Sequence, residues 1–255
     1  MKRISSLKSP DPEREWAGDH LAVKFRTAII SLTIGLAACA AFTVAAQKKG
    51  AASVFIQDKG KLDIKLDGQT VGHEEFEIVP SGGGWLAKGT SEFKPPEGAA
   101  SKVTGTLNMQ PDGAPISYDW NSQADKSNGA HIEFDKGVAK ITLVIEGARP
   151  FQQDLTFNTP MVVVLDNNLY HQYAVLARLY DWSKRGPQSI PVLIPQDLTP
   201  GSITVESTGP AAVEGKTYEG LKVTTPDVEI HVLLDSNHRL MRLEVPAAKV
   251  TVVRE

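Results

Sequence analysis

Lys61-Leu62-Asp63-Ile64-Lys65-Leu66-Asp67 alternates apolar and charged residues without a break. A strand sends successive side chains to opposite faces, so Leu62, Ile64 and Leu66 share one face and the charges take the other. Asp67-Gly68 supplies a turn. Val71 to Val79 reads as the returning strand, with Phe76 and Ile78 inward. The same grammar runs outward from this hairpin. Ser81-Gly82-Gly83-Gly84 is a turn, Trp85 to Phe93 a strand, and Pro95-Pro96-Glu97-Gly98 a loop. Further strands are expected at Lys102–Met109, Ile116–Ser122, Ala130–Phe134, Val138–Glu146 and Phe151–Phe157. Between them, Pro111-Asp112-Gly113, Ser127-Asn128-Gly129 and Asp135-Lys136-Gly137 are residues that accept left-handed turn geometry.

The rhythm changes once. Met161 to Leu165 is an apolar run rich in valine, expected as a buried strand. Asp166-Asn167-Asn168 offers side-chain oxygens to a helix start. Leu169, Tyr173, Leu176 and Tyr180 then fall on one helical face, with Leu179 beside them. The spacing predicts one amphipathic helix over residues 167–181. A second stripe carries His171, Ala174, Arg178 and Asp181, with Arg178 and Asp181 three apart and able to pair. Gly186-Pro187 ends the unit, and Ile190 to Gln196, with two prolines, is expected at a sheet edge. Strands resume at Ser202–Ser207, Tyr218–Thr224, Val228–Asp235, Leu240–Val245 and Lys249–Arg254.

Strands repeating at intervals of about ten residues with tight turns indicate an antiparallel meander. Repeated strand–helix alternation is missing, which argues against a doubly wound α/β fold. A sheet of more than about ten strands curls, splits or closes. The expected fold is therefore mainly β: a strongly curved antiparallel meander, a half-barrel or open barrel, spanning residues 52–255 as one domain. The lone helix is expected over its concave face or one mouth.

The chain has 255 residues, a formal net charge of −3 and one cysteine. No basic stripe suggests nucleic acid as a partner. Residues 1–23 are polar and expected to be a disordered extension. Lys24 and Arg26 precede an uncharged stretch from Thr27 to Gln47, so residues 24–47 read as a signal peptide or membrane anchor. Three fates compete: cleavage after Val44-Ala45-Ala46, lipidation of Cys39 in the lipobox-like Leu36-Ala37-Ala38-Cys39, or retention as a membrane span. Each places the β domain outside the cytoplasm, periplasmic or at the cell envelope. That domain has no cysteine and must hold by its core alone.

The late hairpin LLDSNHRLMRLEVP, residues 233–246, resembles the closing hairpin of secreted bacterial β-rich domains of unknown function. Gly68-Gln69-Thr70-Val71-Gly72-His73-Glu74 is similar to their first turn. Those domains are in turn distantly similar to the periplasmic lipoprotein-carrier half-barrels. That resemblance implies a curved sheet around an apolar cavity, with an apolar small molecule or lipid as partner. The single helix here departs from the several lid helices of the carriers.

Catalytic motifs are absent. Gly82-Gly83-Gly84 runs into Trp85, with no helix start or lysine for a phosphate loop. His73-Glu74-Glu75-Phe76-Glu77 lacks the second histidine of a zinc helix and lies in a strand. Alternation puts His73, Glu75 and Glu77 opposite Phe76 and Ile78, as on a solvated face. His231 and His238 flank one hairpin without metal-ligand spacing. Asp166 and His171 would make two members of a hydrolytic triad, but no spacing nominates the serine. No cofactor, metal or catalytic residue is therefore assigned. The residues expected to meet a ligand are Tyr170, His171, Tyr173, Arg178 and Trp120. Three functions remain open on the sequence: apolar-ligand binding within the curved sheet, a non-catalytic scaffolding or interaction module of the envelope, and an enzyme, which would need His171 to meet Asp166 or Asp181 and a nucleophile in one cleft.

Overall fold

In the computed structural model, residues 53–94, 99–124 and 126–255 are described. The extension, the leader and Cys39 lie outside the described residues. The described chain forms β1 (Asp58–Leu66), β2 (Gln69–Ser81), β3 (Gly84–Phe93), β4 (Ser101–Met109), β5 (Pro115–Gln123), β6 (Ser127–Asp135), β7 (Val138–Ile145), β8 (Phe151–Thr156) and β9 (Val163–Val164). Helix α1 (Gln172–Leu179) follows, and then β10 (Gln188–Ile194), β11 (Thr199–Val213), β12 (Lys216–Thr224), β13 (Glu229–Leu234), β14 (Leu240–Val245) and β15 (Val250–Arg254).

Among the described residues, fifteen strands make one sheet, in the order β8 to β1, then β15 to β9. Each strand pairs antiparallel with its sequence neighbour, as the turns predict, apart from the join between β1 and β15 and the parallel pair β9–β10. The first and last strands thus lie side by side in the middle of the sheet, and its free ends are β8 and β9. So long a twisted sheet curls. Its two ends approach without a shared ladder. Gln153 Nε2 on β8 donates to Leu198 O beyond β10 at 3.4 Å. Tyr118 on β5 donates to Asp166 Oδ2 beyond β9 at 3.0 Å.

The join between β1 and β15 carries its own lock. Arg254 reaches both carboxylate oxygens of Asp58, at 2.7 and 3.1 Å, and also the Lys59 and Leu240 carbonyls. Its guanidinium lies 5.3 Å from the Phe76 ring centre. The two charged side chains are only 11% and 6% exposed, so removing one strands the other away from water. Arg254→Ala is expected to cost about 3–5 kcal/mol in urea unfolding. Lys61→Ala, at an exposed ion pair two positions beyond Lys59, is expected to change stability by less than about 0.5 kcal/mol.

Two expectations need correction. Strand β10, despite Pro191, lies inside the sheet between β11 and β9. Strand β9 is only two residues long and meets Val192 and Leu193, so Pro191 stands outside that second ladder. The helix is shorter than 167–181, covering Gln172–Leu179. Asp166 Oδ1 accepts from Asn168 N at 3.1 Å, a local turn that spends its capping capacity before the helix begins.

Candidate functional site

The inward face of the sheet is built in rows. Antiparallel register sets Phe76, Gly89, Gly105, Trp120, Ala130, Leu143 and Phe151 side by side across β2 to β8. The next row holds Glu74, Ser91, Val103, Ser122, Asn128 and Ile145. Two adjacent glycines in the first row leave a trough in the wall. The segment leading into α1 sinks into it. A Cβ on Gly89 would stand 2.5 Å from the His171 ring, and one on Gly105 would meet Leu169 and the Tyr118 hydroxyl.

Glu74 pins that segment from the sheet. Its carboxylate accepts from Tyr170 N at 2.6 Å, His171 N at 3.2 Å and His171 Nδ1 at 2.5 Å. Those backbone donors belong to the helix entry and have no partner within the helix, and His171 makes no side-chain cap. The cap therefore comes from another element, ninety-seven positions away in sequence. The negative charge also suits the positive end of the helix. Glu74 and His171 are both completely buried, and Phe76 stacks on the imidazole at 5.8 Å. Beside them, Gln172 accepts from Asp166 N and donates through Nε2 to the Tyr118 hydroxyl at 3.2 Å. Burial pushes the Asp166 carboxyl above its ordinary value. Burial and the neighbouring Asp166 push the Tyr118 phenol up as well.

The acid that meets His171 is thus Glu74, while Asp166 serves Tyr118. Ser91, the cross-strand neighbour of Glu74, is buried with its hydroxyl unpartnered, as is His171 Nε2. A carboxylate, an imidazole and a hydroxyl near one another invite a hydrolytic reading. All three are shut within the core at 1% exposure or less, out of reach of water and substrate. The cluster's chemistry is that of a fastener. Among the described residues no set of three histidine, cysteine or carboxylate side chains converges as a metal site.

The five residues expected to share a ligand are dispersed. His171 is in the pin. Tyr170 and Tyr173 pack half-buried against the core; burial, with Glu74 close by, takes the Tyr170 phenol up to about 12, and burial raises Tyr173 too. Arg178 does not pair with Asp181. It donates to the Asn237 carbonyl in the β13–β14 turn, and Asp181 takes Lys184 at 3.0 Å instead. In the same clasp Trp182 stacks on His238 at 4.1 Å. Burial, then the Arg178 charge, hold the His238 imidazole below its usual range, outweighing Glu219 and Asp235. A depressed histidine favours folding when neutral, so the clasp contributes fully above about pH 6.5 and weakens as pH falls through the lower folded value. The urea midpoint is expected to drop more between pH 8 and pH 5 for the native chain than for His238→Gln. Equal drops would remove His238 from the account.

Trp120 lies elsewhere, at the seam. With Asn128, Leu143 and Ile145 it lines a cavity of about 180 Å³, covered by Pro195, Gln196 and Leu198 from the β10–β11 turn. Four polar atoms there are buried without a hydrogen-bond partner: Trp120 Nε1, Asn128 Oδ1, and both Nε2 and Oε1 of Gln196. The Gln196 amide lies beside the Asp166 carboxyl and opposes the upward push of burial on it. Sequence reasoning missed Glu74, Gln172, Asn128 and Gln196. Only Glu74 left a signal, since the parity that puts Phe76 and Ile78 inward puts Glu74 there too.

No protein-family model matches the chain, and no curated protein matches it in sequence. The fold is similar to the crystal structure of a β-barrel-like protein of the domain of unknown function DUF1849 from Brucella abortus. The TM-score is 0.53 at 10% identity, over 80% of this chain and 97% of that one. This agrees with the expected β-rich, barrel-like architecture; it does not show the likeness to lipoprotein carriers.

Proposed function

We propose that this chain is a non-catalytic recognition module of the bacterial cell envelope, exported or anchored through residues 24–47, with a structural interior. One observation carries the non-catalytic part. The concave face, where a lipid-carrier half-barrel would hold its cargo, is occupied by the chain's own helix. Gln172, Ala174, Val175, Leu176 and Ala177 are all buried against the sheet. The titratable groups nearest a catalytic arrangement are sealed beneath that helix. Export rests on Lys24 and Arg26 before an uncharged stretch.

Organic extraction of the purified protein followed by mass spectrometry is expected to release no stoichiometric acyl compound. An acyl chain bound one to one would restore the lipid-carrier reading. Fractionation of cells producing the full chain is expected to put it with the envelope, and recovery in the cytoplasm would end the export reading.

A further inference from the structure

We infer that the free edge of β8 docks an extended segment of a partner polypeptide, added as one more strand that sets a basic residue opposite Asp154 and an apolar one beside Phe151. The inference deepens the recognition reading and rests on it. β8 ends the sheet. Thr156 faces Val138 on β7, and the next residue, Phe157, donates through its N–H to Gly137 O. Antiparallel ladders alternate bonded and unbonded pairs, so Leu155, Gln153 and Phe151 spend their backbone groups on β7. The N–H and C=O groups of Gln152, Asp154 and Thr156 therefore point away from the sheet. No other backbone segment among the described residues bonds them. The bond from β8 across the seam leaves from the Gln153 side chain on the inward face, not from this edge.

Free edges are usually guarded by lysine, proline or a bulge that turns other chains away. β8 reads Phe-Gln-Gln-Asp-Leu-Thr, and its pairing with β7 runs without a register shift. Three of the six large apolar side chains exposed among the described residues, Val144, Ile145 and Phe151, gather at this hairpin. Backbone bonds give an added strand its affinity, and side chains choose which strand it is. Gln152, Asp154 and Thr156 are exposed on the outer face, and Asp154 is the one charge of the strand. Its neighbour Lys140 lies on the β7 side, so a cation on the added strand meets the open side. Phe151 faces inward three positions earlier. In the antiparallel sense, the more stable ladder per residue, the partner thus carries a basic residue and, three positions later, an apolar one on the other face. A second copy of this chain fits less well. A two-fold axis at Asp154 sets two carboxylates opposite each other. An axis at Gln153 sets Thr156 opposite Pro150, which has no N–H, and one at Leu155 leaves Gln152 opposite Asn158, past the end of β8.

The test titrates the full chain, uniformly 15N-labelled, with the acetylated and amidated peptide Thr-Val-Lys-Val-Thr-Phe. In the antiparallel register its first, third and fifth residues face Thr156, Asp154 and Gln152, and its last faces Phe151. Saturable shifts of the Gln152, Asp154 and Thr156 amides are expected. The peptide N-methylated at its third and fifth residues cannot donate to the edge and should bind at least tenfold more weakly, as should the peptide with glutamate for lysine. Asp154→Pro removes an edge donor and the charge but costs the β7 ladder no bond, so the folded variant should lose binding tenfold or more. Asp154→Lys keeps every backbone group and should prefer the glutamate peptide; it carries the test if the proline variant does not fold. No saturable shift, equal binding of the N-methylated or the glutamate peptide, or full binding by folded Asp154→Pro would overturn the assignment. So would a concentration-dependent dimer that binds no peptide and that Asp154→Lys dissociates, which would give the edge to a second copy. The envelope reading survives any of these results, since fractionation tests it separately.

Discussion

Glu74→Ala will strip the β domain of a large part of its stability. The substitution removes the shared acceptor of Tyr170 N, His171 N and His171 Nδ1 at a site buried from solvent. Each orphaned buried donor costs about 1–3 kcal/mol, and breaking a buried acid–histidine contact falls in the same direction. A loss of about 4 kcal/mol or more is expected, a large part of an ordinary domain's stability of about 5–15 kcal/mol. Glu74→Gln keeps one acceptor oxygen and nearly the same shape, so it should lose about half as much. Glu75→Gln, one residue on and facing outward, should change stability by less than about 0.5 kcal/mol. Urea unfolding followed by tryptophan fluorescence separates the three. If Glu74→Ala unfolds like the native chain, the pin is not what seats the helix.

Gly89→Ala is expected to be nearly as damaging, for the opposite reason. The new methyl would stand 2.5 Å from His171 Nδ1 and Cε1 and 2.9 Å from Glu74 Oε1. A flexible side chain would move aside, but both neighbours are held by the pin, so the clash must displace the helix entry. Overpacking of this kind costs about 1–3 kcal/mol, and the pinned neighbours place it at about 3 kcal/mol. Gly186→Ala meets nothing closer than 3.8 Å and should be near neutral. Gly89→Ala and Glu74→Ala act on one contact set, so the double variant should lose clearly less than the sum of the two. A simple sum would mean that trough and pin act independently.

The resulting picture is a curled wall with a slot in it and a plug fastened into the slot. The half-barrel cargo model implied by the resemblance puts an apolar ligand where this plug sits. At the seam the ends of the sheet come close but share no ladder. Trp120 was singled out in the sequence, and its cavity neighbours Asn128 and Gln196 were not. Asn128 reads as a turn residue between Ser127 and Gly129, and Gln196 as the tail of a proline-bearing strand. Nothing local says that Gln196 in one turn will share a cavity with the indole of Trp120, far earlier in the chain. The helix boundary failed similarly. Asp166-Asn167-Asn168 has capping chemistry, but Asp166 spends it on Asn168 N and Tyr118, and the true cap arrives from β2.

Local alternation by itself located most of the strands and turns and the parity of their inward residues, and with them the expectation that a long antiparallel sheet curls. It could do so because a strand's two faces and a two-residue turn are decided by neighbours along the chain. Tertiary structure alone decided that β1 joins β15, that Glu74 caps α1, that glycines on β3 and β4 align into a trough, and that four polar atoms at the seam lack partners. Each of those depends on register between segments far apart in sequence. A one-residue slip there would exchange the faces, while the composition of each segment stayed the same.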